Sequence, residues 1–69
     1  MSRFFIHNNE PNVGDLATTP MYGEVKLINQ LSLVQETSPE DNIWVVRDDN
    51  DELHLIRQED LTDVGYYVD

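Results

Sequence analysis

A chain of 69 residues without cysteine is one domain at most, and it cannot build a disulfide framework, a thiolate metal site or a cysteine nucleophile. Fourteen Asp and Glu against four Lys and Arg give a formal net charge of −10. Such a surface repels phosphate backbones and anionic membranes and attracts a basic protein or a cation.

From the N-terminus, "RFFIH" is rich in aromatic and β-branched residues and reads as a short strand, stopped by the turn formers of "NNEPN". Its apolar run is too short for a secretory signal, and the longest one in the chain, Ile43 to Val46, is far short of a membrane span. A soluble cytoplasmic protein is expected. In "VGDLATTP", Gly14-Asp15 opens an extended run that Pro20 closes, because the residue before proline is pushed towards extended geometry. The stretch Tyr22 to Glu36 alternates partly as a strand at Val25, Leu27, Leu31 and Leu33, while Leu27, Leu31 and Val34 lie near helical spacing. Gly23, the β-branched residues and the missing N-cap weigh against a helix, so we read it as extended and bent near Asn29-Gln30. "TSPEDN" is a loop. "IWVVR" and "LHLIR" are the clearest strands, and "DDNDE" between them fits a hairpin tip. "QEDL" reads as one helical turn near Gln58–Leu61 before a last extended stretch, "DVGYYVD".

The layout of "VGD", "YGEV", the hairpin "IWVVRDDNDELHLIR" and "QEDLTDV" resembles the small SH3-like barrels over roughly residues 13 to 64. The resemblance implies an all-β fold, a barrel of about five strands within a single domain spanning 1–69; it leaves out "SRFFIH" and "GYYVD", which are expected as added strands that pair with each other. The ALYDY-type stretch and paired Trp of the peptide-binding members are absent, so no binding site transfers.

Asp48, Asn50, Glu52 and Glu59 fall at positions 1, 3, 5 and 12 of an EF-hand-like loop, but Leu53 replaces the required Gly and the flanks read as strands. Weak divalent binding is expected there rather than a specific site. His7 and His54 are far apart in the chain, and His54, alternating with Leu53 and Leu55, is expected to face solvent. No nucleophile elbow or Gly-rich phosphate loop is present. We therefore expect no enzyme, no cofactor and no metal. Trp44 and one of Phe4 or Phe5 are expected in the core. Tyr66 and Tyr67 must point to opposite faces of a strand. One of them, with Tyr22, is expected to make an aromatic spot rimmed by Glu24, Asp63 and Asp69, unless the two tyrosines simply tie the last strand to the first.

The leading expectation is a noncatalytic protein-interaction module for a basic protein partner, with Tyr22, Asp48, Asp49, Asp51, Glu52, Tyr66 and Tyr67 as its contact residues. In size and charge it resembles the small acidic accessory proteins of phage and prophage genomes. The alternative is a nucleic-acid mimic that inhibits a DNA- or RNA-binding protein without binding nucleic acid itself. Its acids would come from Glu36–Asp41, Asp48–Glu52 and Glu59–Asp63. A third possibility is a structural subunit that pairs through its sheet edges. Oligomeric state and partner identity stay open.

Overall fold

The computed structural model describes residues 3–31 and 42–69. The "TSPEDN" loop up to Asp41, the Glu36–Asp41 acids and the part of the ambiguous run beyond Leu31 lie outside the described residues. Six strands are present there: β1 (Phe4–His7), β2 (Leu16–Thr19), β3 (Gly23–Leu31), β4 (Ile43–Arg47), β5 (Leu53–Arg57) and β6 (Thr62–Val68). A 3-10 turn, Gln58–Asp60, joins β5 to β6. The all-β expectation holds, and the strands form one antiparallel sheet in the order β1-β6-β2-β3-β4-β5, six strands rather than about five. Among the described residues no helix is long and apolar enough to cross a membrane.

Strand alternation builds the core. Ala17 from β2, Val25 and Leu27 from β3, and Trp44 and Val46 from β4 point to one side, where Leu61 joins them. β3 carries an extra residue between Leu27 and Asn29 relative to β4. This bulge is the bend expected near Asn29-Gln30, and it reverses which side of β3 faces inward. Beyond it Leu31 lies opposite Ile43 on the outer face.

The entry to β2 is held by polar contacts. Gly14 has a φ of +94°, a conformation that disfavours a side chain. Buried Asp15 accepts hydrogen bonds from the Asn8 side chain (2.9 Å) and the Asn12 backbone N–H (3.2 Å). At the other end of β2, the Thr19 hydroxyl accepts from the Tyr22 N–H (3.0 Å) and donates to the Gly23 carbonyl (3.1 Å), closing the turn into β3.

Two expectations about the core are corrected. Neither phenylalanine belongs to it: Phe4 is 62% exposed and Phe5 half-buried, because β1 lies at the end of the sheet, beyond β6 and away from Trp44. His54 does not face solvent. The hairpin register sets Val46 opposite His54 and Trp44 opposite Ile56, so the inward β4 side chains turn His54 and Ile56 to their own side. Leu53 and Leu55 are left outside, 58% and 65% exposed.

Candidate functional site

The acidic loop is a hairpin tip. The Asp51 N–H donates to the Asp48 carbonyl (3.1 Å), and Asp51 has a φ of +66°. A tight turn followed by one left-handed residue is a common three-residue hairpin connection. Asp48 organises it: Oδ1 accepts the N–H groups of Asn50 (2.9 Å) and Glu52 (3.0 Å), and Oδ2 lies 2.7 Å from His54 Nε2. The His54 ring stacks on Tyr22 with centroids 3.8 Å apart and planes 10° from parallel. Tip, β5 and the β2–β3 turn are thereby tied together. Glu59 stands in the 3-10 turn, at the other end of β5 from the tip, so these residues do not form an EF-hand chelate. Asp48, Glu52 and His54 do bring ligand-type atoms within 4.8 Å of one another, but both oxygens of Asp48 are already engaged by the chain.

Hydrogen bonds to the charged carboxylate, from His54 first and then from the Glu52 backbone, hold the Asp48 pKa below its ordinary value. A depressed carboxylate stabilises the fold fully above its unfolded pKa, about 4, and loses that contribution as pH falls through the folded value. We therefore expect the melting temperature of the wild type to exceed that of Asp48→Asn at about pH 5, with the gap closing as pH falls below about 4. Relief of general acidic repulsion acts on both proteins alike and cancels in the comparison. A gap that does not change with pH would contradict the role assigned to Asp48.

Tyr66 and Tyr67 lie elsewhere on the sheet. β1 pairs with β6 so that Ile6 faces Tyr66 and Phe5 faces Tyr67, tying the last strand to the first. Alternation sends Tyr66 to one side with Phe4, Ile6 and Val68, all of them exposed. Tyr67 goes to the other side with Phe5 and His7. There the Phe5 ring meets Tyr67 edge-on at 4.9 Å and His7 at 4.8 Å.

These rings form one wall of an open groove of about 360 Å³, whose other wall is Leu16, Thr18 and Glu24. Gly65 lies between His7 and Leu16 in the register, so a position without a side chain separates the two walls. Asp63 enters the groove from an irregularity in β6, where the β2 pairing shifts register and Asp63 has a φ of +50°. A bulge of this kind re-aims a side chain, here a carboxylate. His7 Nε2 is 3.9 Å from Asp63 Oδ1. The Arg3 guanidinium sits 4.6 Å from the centre of the Tyr67 ring, and its Nε is 3.6 Å from Asp69.

Of the residues expected to make contacts, the structure sets Tyr22 and Asp48 in the stacked His54 cluster and Asp49, Asp51 and Glu52 at the exposed tip. Tyr67 lines the groove, with Tyr66 on the reverse side of the strand. Phe5, His7 and Thr18 belong to the groove and were not singled out from sequence as contact residues, because only the pairing of β1 with β6, and of β6 with β2, brings Phe5 and His7 alongside Thr18. No family model, curated protein or solved structure matches the chain.

Proposed function

We propose that this chain is a noncatalytic protein-interaction module that receives an arginine- or lysine-bearing segment of a basic partner in the groove between β1–β6 and β2–β3. The observation that carries the reading is the composition of that groove: Phe5 and Tyr67 beside the carboxylates of Glu24 and Asp63. Exposed rings attract a cation to their faces, and nearby carboxylates add directional hydrogen bonds and long-range steering. Arg3 on the Tyr67 ring supports the reading from within the chain, since one guanidinium already uses that surface. The contact residues are then Tyr67, Phe5, Glu24 and Asp63, with the hairpin acids steering the partner from a distance. An SH3-like layout for β2 to β6 is part of the proposal. It is supported by the order β6-β2-β3-β4-β5 and by the 3-10 turn between β5 and β6, with β1 added outside β6.

The test is an array of short basic, neutral and acidic peptides, probed at low and high salt. Arginine-bearing apolar peptides are expected to be retained. Glu24→Gln with Asp63→Asn is expected to weaken them about tenfold at low salt and less at high salt, as screened surface charges require. Tyr67→Ala is expected to cost about 1–2 kcal/mol at either salt. Equal retention of acidic peptides, or no effect of the paired carboxylate substitutions, would rule the groove out.

A further inference from the structure

We propose that the free edge of β5 is a second docking surface, which adds an extended strand of a partner whose outward-facing side chains, every second residue, alternate between acidic and apolar. The hairpin fixes which backbone groups are available. Asp48 N–H donates to Glu52 (3.0 Å) and Gln58 N–H to Asn42 (2.8 Å), which sets the phase of the hydrogen-bonded pairs between β4 and β5. In an antiparallel ladder such pairs alternate, so Val46 with His54 and Trp44 with Ile56 are bonded to each other. Leu53, Leu55 and Arg57 accordingly turn their N–H and C=O groups away from β4. Among the described strands none lies beyond β5.

The side chains at this edge add an apolar strip. Leu53 and Leu55 stand exposed on the outer face, and Val45 lies opposite Leu55. An exposed apolar edge strand is a ready template for strand addition. Charge selects the partner. Lys26, Arg47 and Arg57, three of the four Lys and Arg of the chain, flank the leucines on this same face. Arg47 contacts Asp51 at 3.2 Å and Arg57 contacts Glu59 at 3.7 Å, both exposed pairs of the kind that contribute little and exchange partners readily. An incoming strand with an acid beside Arg57, an apolar residue beside Leu55 and an acid beside Leu53, which lies opposite Arg47, would take over both cations from Asp51 and Glu59. A second copy of this chain would instead add another net charge of −10, with its acidic hairpin tip brought against the acidic turn at the far end of β5.

The probe is a short synthetic peptide of the pattern Glu-Thr-Val-Thr-Glu, whose every second residue falls on one face of a strand, titrated into the isotopically labelled full chain, with the Lys-Thr-Val-Thr-Lys peptide as its counterpart. The expected result is a shift of the Leu53, Leu55 and Arg57 amide resonances and slower exchange of those amides, produced by the glutamate peptide alone. Leu55→Glu, a change at an exposed position, is expected to melt as the wild type does and to bind about tenfold more weakly. Arg47→Gln with Arg57→Gln is expected to remove the preference for glutamate over lysine. Absence of shifts on β5 at millimolar peptide would overturn the proposal, as would equal binding of the two peptides. So would sedimentation showing a dimer that Leu55→Glu dissolves, because the occupant would then be a second copy. Substitutions at Glu24, Asp63 or Tyr67 leave this edge unchanged, so its failure and failure of the groove are separately readable.

Discussion

Gly65→Ala is expected to loosen β1 from β6 and to abolish binding in the groove, at a cost of about 1–3 kcal/mol in stability. A Cβ at Gly65 would run into the Ile6 carbonyl oxygen and lie 2.8 Å from Cε2 of the Phe5 ring. A backbone oxygen in a strand ladder cannot rotate aside as a long side chain can. Relief has to come from moving β1, which the described residues pair only with β6 and which carries the exposed Phe4 and Ile6. Detaching it costs less than disturbing β3 and β4, so the loss is local. Hydrogen exchange reads this directly. The amides of β1, and of Asn8, which donates to the Val64 carbonyl at 2.8 Å, are expected to lose protection while those of β3 and β4 keep theirs. Unchanged protection of β1 together with unchanged peptide binding would show that the close approach at Gly65 does not hold the groove together.

This position also marks what sequence reading could and could not reach. The strands around "RFFIH" and "IWVVR", the hairpin tip at Asp48–Glu52 and the turn after Arg57 were all legible, because each depends on neighbours within a few residues. The pairing of the first strand with the last was expected from the layout. The groove was legible only in part: Glu24 and Asp63 stood out as acids near a tyrosine, yet Tyr22, their supposed companion, stacks on His54. Nothing local marks Gly65 as the gap between two walls, since that role needs His7 on one side and Leu16 on the other. The inward turn of His54 was hidden for a related reason. In "LHLIR" the leucines look like the buried set, and only the register against Trp44 and Val46 reverses the choice. A histidine tolerates that side because Asp48 satisfies its ring nitrogen and Tyr22 covers its face.

Trp44→Ala is the substitution that tests this register most severely. Trp44 is 2% exposed, at the centre of the core with Val25, Leu27 and Val46, and its indole N–H donates to Gln58 Oε1 at 3.0 Å. Removing a buried tryptophan side chain costs about 3–5 kcal/mol. A domain of this size has roughly 3–10 kcal/mol in total, so the variant is expected to be largely unfolded at room temperature or to melt far below the wild type. Trp44→Phe keeps an aromatic ring in place and gives up the bond to Gln58, so a loss of about 1–2 kcal/mol is expected. Leu55→Ala supplies the contrast. A leucine 65% exposed on the outer face is expected to change stability by no more than about 0.5 kcal/mol. Urea denaturation followed by circular dichroism measures all three without depending on tryptophan fluorescence. The ranking matters more than any single value: if Leu55→Ala costs as much as Trp44→Ala, then β5 presents its leucines to the core. The apolar strip between Arg47 and Arg57 would then not be an outer surface, and strand addition at this edge would lose its apolar anchor.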